Sequence, residues 1–516
     1  MARPGRLAVA TMGVALLASC ALPVAHAGED AAQSRATTHA ATTRPNIVFI
    51  LTDDLDDATF NDVVHLPQLN TLLTKQGVSF TNYFVPDSLC CPSRASFMRG
   101  QYVHNTGVLA NIPPSGGFER WQQLGLAKST IATWLHAGGY RTGLLGKYLN
   151  DYPTGAPNNY VPPGWDEWDS PLGAAPYNEF NYTLNSNGVL KKYGSAPSDY
   201  LVDVLANKSA QFITQNPKGK PFFLEVTPFV PHEPATPAPR YANAFPGIAT
   251  PHTASWNQAN VSNEPAWLSS RPLLDQSTID YIDTLYRKRM QDMLSVADLV
   301  QTVITALTNS GQLNNTYIVF SSDNGFHLGQ HRLPAGKETP FEEDIHVPLV
   351  IRGPGIKPGR KVNSIVREID VAPTFAALAG VTPPSFVDGR SFVSALTGTY
   401  KDPPQDALIE HFSGASTEVT REPDGTIVGD PDSETFPFPG FVRPNALPEP
   451  IIPPYHAIRT RDFLYVEYVT GERQLYNLVK DPNEMDDIVT QFPARANQLH
   501  KKLLALETCV GPTACS

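Results

Sequence analysis

Hydrophobic positions along the chain follow two periods, and their alternation predicts the architecture. Asn46 to Leu51 (NIVFIL) is a near-continuous apolar run of the kind a strand shows when both its faces are buried. Further strands are predicted at YRTGLLGK from Tyr140, at Pro221 to Val226 (PFFLEV), at Tyr317 to Phe320 and at Val347 to Ile351. Between them the spacing turns helical. Leu66 to Gln76 stops at Gly77, and Thr130 to Ala137 ends at Gly138-Gly139. A long helix runs from about Ile279 to Thr308 and is broken by Gly311. DVAPTFAALAG starts near Asp370, with Pro373 in its first turn and Gly380 at its end. Strands alternating with helices predict an α/β domain, a large mostly parallel sheet sandwiched by helices.

The texture changes after about residue 400. Residues 413–455 read as a Pro-rich loop region, and the alternating runs DFLYVEYV and QLYNLV then predict a smaller C-terminal α+β subdomain with an antiparallel sheet. At the other end, Arg3 and Arg6 precede an apolar stretch from Leu7 to Ala18, followed by Pro23 and Ala25-His26-Ala27. This reads as a signal peptide cleaved after Ala27 and predicts export. Leu17-Ala18-Ser19-Cys20 offers an alternative, a lipobox that would anchor the exported chain through Cys20. The organisation is then a leader over 1–27, a flexible linker over 28–44, a large domain carrying the chemistry over 45–400 and a C-terminal subdomain over 401–516. No second apolar stretch reaches the roughly 18–20 residues of a membrane span.

Composition narrows the function classes. Of 516 residues 41% are hydrophobic, enough for a sizeable core, which excludes wholesale disorder. With 39 Lys+Arg against 50 Asp+Glu the net charge is -11, so the basic footprint of a nucleic-acid partner is missing. A polyanionic substrate would need local positive charge or a bound metal. Of the five cysteines, Cys20 belongs to the leader or anchor, and Cys509 and Cys515 in CVGPTAC suit a small disulfide in an oxidising compartment. The adjacent pair Cys90-Cys91 asks for a chemical reason.

Two strand ends hold the candidate chemistry. NIVFIL runs into Thr52-Asp53-Asp54, and TYIVF runs into Ser321-Ser322-Asp323-Asn324-Gly325. Ligands of open α/β sheets sit at the carboxyl ends of strands. Three carboxylates and an amide there suit a hard cation, Ca²⁺ before Mg²⁺. In Cys90-Cys91-Pro92-Ser93-Arg94, Pro92 fits the first turn of a helix and puts Cys90 at its N-terminus, where backbone N–H groups favour an anion. A low-pKa thiol, a vicinal disulfide and a plain buried cysteine are all open readings of that placement.

C-x-P-S-R from Cys90 to Arg94 resembles the signature of the sulfatase family. The resemblance extends over about residues 45–510, through TDD at 52–54, GKYLNDY at 146–152, PPGWDEW at 162–168, PHEPATPAPRY at 231–241, SDNGFHLG at 322–329 and the stretch from Gly336 through VPLVIRGPG to 355. It is nearest to the branch of N-acetylglucosamine-6-sulfatases and related glycan sulfatases. One departure is Leu149, where many arylsulfatases have a histidine two residues after the GK lysine.

The resemblance implies an alkaline-phosphatase-like fold and a sulfuric ester hydrolase acting on a sulfated small molecule or glycan. It implies that a formylglycine-generating enzyme converts Cys90 before folding, and that a metal is held by Asp53, Asp54, Asp323, Asn324 and the modified Cys90. The hydrated aldehyde then attacks sulfur, and its second hydroxyl expels sulfate from the covalent ester, a step serine has no group to perform. Arg94 would hold the hydrate and ligands in place, Lys147 and Lys337 would contact nucleophile or sulfate, and His232 would act as general acid. His327 would face the same pocket, while His104 and His346 read as supporting or structural. Two alternatives remain open: an arylsulfatase or phosphonate or phosphodiester hydrolase on the same scaffold, and an inactive cell-surface glycan-binding homologue.

Overall fold

Asn46–Thr52 (β1) is buried along its whole length. Ile47, Phe49 and Leu51 point into one apolar layer and Val48 and Ile50 into another, which is why the run has no polar alternation. The computed structural model describes residues 44–398, 405–412, 420–421, 427–428 and 452–515. The leader, Cys20, nearly all of the linker and most of the Pro-rich 413–455 stretch lie outside the described residues.

The other strands of the main sheet are β2 (Val78–Phe80), β3 (Arg141–Gly146), β4 (Glu167–Pro171), β5 (Thr183–Ser186), β6 (Val189–Lys192), β7 (Phe222–Thr227), β8 (Thr316–Ser322), β9 (Leu349–Arg352) and β10 (Arg360–Val362). Their order is β10-β2-β9-β8-β1-β7-β3-β4-β5-β6. The central run β8-β1-β7-β3-β4 is parallel. The flanks are mixed: β9 is antiparallel to β8 and β2, β10 is parallel to β2, and β4-β5-β6 is an antiparallel meander. The sheet is therefore mixed, with a parallel centre. Asn187 and Gly188 close the β5–β6 hairpin with φ of 51° and 84°, the pattern of a type I′ turn.

Helix α1 (Cys90–Arg99) and helix α4 (Val371–Ala379) cover one face, and α2 (Leu201–Thr214) and α3 (Gln276–Asn309) the other. Phe49 meets Phe97 of α1 and Phe375 of α4 edge-on at 5.3 and 5.4 Å. Helix α3 starts earlier than its apolar spacing suggests, because Asp275 caps it by accepting from the Thr278 amide at 2.8 Å. The segment from Leu66 to Gln76 divides into an α-helical turn, Pro67–Leu72, and a 3₁₀ turn, Thr74–Gln76.

Beyond residue 400, β11 (Ala407–His411), β12 (Tyr455–Arg459), β13 (Phe463–Tyr468) and β14 (Arg473–Asn477) form an antiparallel sheet in that order. One face, with Leu408, Ile458, Tyr465 and Leu475, packs on helix α5 (Pro493–Leu506); the other joins the core of the main sheet. The tail after α5 is closed by a Cys509–Cys515 disulfide, and Arg367 donates to the Cys515 carbonyl. No helix of the described residues is long and apolar enough to cross a membrane.

His104, in the helical turn Val103–Thr106, ties that turn to β11 and the C-terminal tail, with Nδ1 2.8 Å from the buried Glu410 and Nε2 2.9 Å from the Cys509 carbonyl. Burial pulls its pKa down, but the Glu410 hydrogen bond and charge overcome this and raise it above the ordinary 6.5. The stabilisation from a raised pKa is complete below the unfolded value and is lost as pH rises through the folded one. His104→Ala should therefore cost about 1.5–3 kcal/mol in mildly acidic buffer. In thermal melts the gap to wild type should narrow as pH rises through the folded pKa.

Candidate active site

Because β1 and β8 are parallel neighbours in register to Thr52↔Ser322, the residues after them leave the sheet side by side. The Asp54 amide donates to Asp323 Oδ1 at 3.1 Å, and Asn324 Nδ2 donates to Asp54 Oδ1 at 2.6 Å. Asp54 adopts φ of 63°, a left-handed conformation that aspartate tolerates better than most residues. Glycine is required at 325, where a Cβ would stand 2.1 Å from the Glu343 carbonyl oxygen.

Helix α1 begins above this pair of strand ends. Leu89 is its extended N-cap residue, and the Cys91 amide donates to Asn111 Oδ1 at 2.8 Å. Cys91 turns into the apolar core, whereas Cys90 Sγ lies 3.3 Å from Asp53 Oδ1 and 3.9 Å from Asp54 Oδ1. Lys337 Nζ is 2.9 Å from that sulfur and 2.8 Å from Asp54 Oδ1. On the opposite side Lys147 Nζ donates to Asp53 Oδ2 at 2.7 Å. One turn into the helix, Arg94 donates from Nε to Asp323 Oδ2 at 2.7 Å and from Nη1 to the Lys147 carbonyl at 3.1 Å.

His232 completes the group. Its Nδ1 donates to the Glu233 carbonyl at 2.6 Å, which turns Nε2 toward Asp54 Oδ2, 3.5 Å away. Asp53, Asp54, Cys90, Arg94, Lys147, His232, Asp323, Asn324 and Lys337 are thus brought together, and all are buried. His327 lies beside them, paired across a two-residue ladder with Gly336 and held by Asp344 at 3.0 Å. His346 pairs with Glu342, Nδ1 to Oε2 at 3.3 Å.

Three cations, Arg94, Lys147 and Lys337, face three carboxylates, and all six side chains are buried. Burial would raise the Asp53 pKa, but Lys147, Arg94 and His232 hold it below the usual carboxylate value. Burial and the Asp53 charge leave Asp323 raised in spite of Arg94. Burial works against the Arg94 charge, yet Asp323 and Asp53 more than restore it. Asp54 Oδ2 and Asn324 Oδ1 are buried and accept no hydrogen bond. Asp53, Asp54, Cys90 and His232 each offer a ligand atom within 4.8 Å of the others. Unsatisfied oxygens among carboxylates fit a hard divalent cation.

Several supporting groups carry no motif of their own. Buried Arg289 donates from Nη1 to the Pro231 carbonyl at 2.9 Å and from Nη2 to the Asp54 carbonyl, so it fixes the backbone on both sides of the site. It sits among Leu285, Tyr286, Met290 and Met293 on the buried stripe of α3, and an arginine in such a stripe is a readable signal. Ser93 donates to Glu368 at 2.8 Å. Lys147 Nζ lies 5.0 Å from the Tyr177 ring centre, at a small pocket also lined by Leu149, Asn150, Tyr152 and Phe229.

The sulfatase family model matches residues 45–381. The N-acetylglucosamine-6-sulfatase of Homo sapiens is 35% identical over 488 residues, covering 92% of this chain and 86% of that protein. A protein solved in complex with its substrate D-glucosamine-2-N,6-O-disulfate superposes with a TM-score of 0.71 at 22% identity, covering 89% of this chain and 97% of that one. The phosphonate monoester hydrolase of Agrobacterium radiobacter gives a TM-score of 0.66 at 22% identity, covering 90% and 95%. At those identities the solved structures establish a shared fold and nothing finer. With the family model spanning more than half of its length and a long curated relative beside it, this chain belongs to the sulfatase family and is a sulfuric ester hydrolase.

Proposed function

We propose that this sulfatase is exported and removes 6-O-sulfate from glucosamine-type sugars, with formylglycine made from Cys90 and a calcium ion held by Asp53, Asp54, Asp323 and Asn324. The observation that carries the reading is the position of Cys90. Its side chain starts a helix and touches Lys337, Asp53 and Asp54 at once, with two unsatisfied oxygens alongside.

Calcium, when bound there, supplies charge for the sulfate oxygens and lowers the pKa of the attacking hydroxyl. Formylglycine, when hydrated, supplies one hydroxyl for attack and a second for release. Lys337 holds the residue-90 side chain and a sulfate oxygen, and Lys147 holds sulfate from the other side. Arg94 keeps Asp323 and the start of α1 in a fixed relation. His327, braced by Asp344, is a further donor to sulfate beside Lys337. His232 Nε2 delivers the proton to the departing sugar oxygen.

The length of the match to the human N-acetylglucosamine-6-sulfatase supports the sugar substrate. So does Leu149, which presents an apolar wall beside Lys147 where many arylsulfatases carry a histidine. Arg3, Arg6, the apolar stretch and Ala25-His26-Ala27 support export with cleavage after Ala27; anchoring through Cys20 is the alternative.

The test is a comparison of leaving groups. His232→Gln should lower kcat/KM on N-acetylglucosamine 6-sulfate by about 10²–10⁴-fold. It should cost far less on 4-nitrophenyl sulfate, because nitrophenolate departs unprotonated. Equal losses on both would remove His232 from the acid role. For the wild type, a preference for a phosphonate monoester over the sugar sulfate would reassign the substrate class.

A further inference from the structure

A second cluster of metal-ligating side chains lies away from Cys90. His331 sits in the loop between the short strands His327–Leu328 and Ala335–Gly336, Glu343 in the turn Glu342–Ile345, and Glu484 in the segment between β14 and α5. Each offers one ligand atom, and the three atoms lie within 4.8 Å of one another. His331 and Glu484 are each only 1% exposed.

The hydrogen bonding leaves one position open on each residue. His331 Nδ1 faces Gln258 Oε1 at 3.2 Å, which makes Nδ1 the donor and leaves the lone pair on Nε2. Phe341 stacks on the ring with centres 4.0 Å apart, and the His331 amide donates to the Ser255 carbonyl at 2.7 Å, so the imidazole is fixed. Glu484 Oε2 accepts from the Glu342 amide at 3.0 Å, and Glu343 Oε1 accepts from Ser255 Oγ at 3.4 Å. The remaining atoms, His331 Nε2, Glu343 Oε2 and Glu484 Oε1, are buried and have no hydrogen-bond partner. Arg459, the nearby cation, is engaged by Glu342 at 2.5 Å.

We infer that His331, Glu343 and Glu484 form a structural site for a first-row divalent transition ion of the zinc class. Three ligands at roughly 2.0–2.2 Å from one ion, trigonal or tetrahedral, stand about 3.3–3.8 Å apart, so atoms already within 4.8 Å of one another close on it by side-chain shifts of about an ångström or less. The imidazole separates this cluster from the oxygen-rich Asp53–Asn324 site and favours zinc or manganese over calcium. Burial pushes the Glu343 carboxyl up to about 8, Glu484 well above the usual range, and His331 down to about 3. A divalent ion supplies the charge that lets both carboxylates ionise there, displacing their protons to solvent. The ion would join the loop that leads to Lys337 to the C-terminal segment carrying Glu484.

The experiment is zinc binding to chelator-stripped Cys90→Ala/Asp54→Ala protein, a background that removes two potential zinc ligands from the catalytic site. Equilibrium dialysis with metal analysis should find one zinc per chain. His331→Gln or Glu484→Gln, both near-isosteric, should weaken it at least 100-fold and remove the zinc-dependent rise in Tm. X-ray absorption of the zinc-loaded parent should give one imidazole with oxygen ligands, and this readout does not depend on how the variants fold. Absence of tight zinc would mean that the three groups share protons instead, and the inference fails. Zinc that survives both substitutions, or a sulfur-ligated spectrum, overturns it equally.

Discussion

Replacing Cys90 with alanine should lower sulfate-ester turnover by on the order of 10⁴- to 10⁶-fold, the scale on which enzymes lose rate with their nucleophile. The protein should remain folded. The helix start is held by the Cys91 amide on Asn111 and by Pro92, Ser93 and Arg94, none of which uses the Cys90 sulfur. Alanine is also the better helix former. Cys90→Ser sharpens the expectation. A serine can accept sulfate once but has no second hydroxyl to expel it, so at most one equivalent of alcohol should be released per site before the enzyme stalls. Alanine protein that turns over at the wild-type rate would eliminate residue 90 as the nucleophile.

Asp323→Ala should remove calcium and activity together, and it should also destabilise the fold. Asp323 has two duties: Oδ1 accepts the amides of Asp54 and Asn324, and Oδ2 pairs with Arg94 at 2.7 Å. Arg94 is 1% exposed, so deleting its nearest carboxylate leaves a guanidinium away from water with only Asp53 at 3.9 Å opposite it. Breaking a buried pair in this way typically costs 3–5 kcal/mol, about what a modest domain has to spare. Asp323→Asn keeps the shape and one acceptor, so it should be milder in denaturant melts while still losing metal. Calcium analysis on folded material separates the two effects. Calcium retained at one per chain in either variant would place the metal site elsewhere.

How much of this was readable in the chain depends on burial and on sequence distance. The centre of the sheet was legible because β1 is covered on both faces and so carries an unbroken apolar run that ends in its own acidic pair. The start of α1 was legible because proline is tolerated in a first helical turn. The edges were not. β6 is exposed on every residue, and β4 is polar apart from Trp168 and Pro171, so neither shows the buried pattern; only Asn187-Gly188 marks the hairpin. Within the site, the residues next to motifs were nameable, but their contacts were set by register. Lys147 reaches Asp53 and Lys337 reaches the adjacent Asp54, and no spacing encodes that. The cluster of His331, Glu343 and Glu484 was invisible for the same reason, since Glu484 reaches it only through the packing of the C-terminal subdomain.

The central claim is that Cys90 becomes an aldehyde, and the mass of one peptide tests it. Trypsin should release Gln76–Arg94, which contains both Cys90 and Cys91, from protein expressed alongside a formylglycine-generating enzyme. After alkylation, one carbamidomethyl group is expected, on Cys91, with residue 90 lighter than cysteine by about 18 Da and trapped by a hydrazine. Two alkylated cysteines in a preparation that hydrolyses sulfate esters at full rate would contradict it.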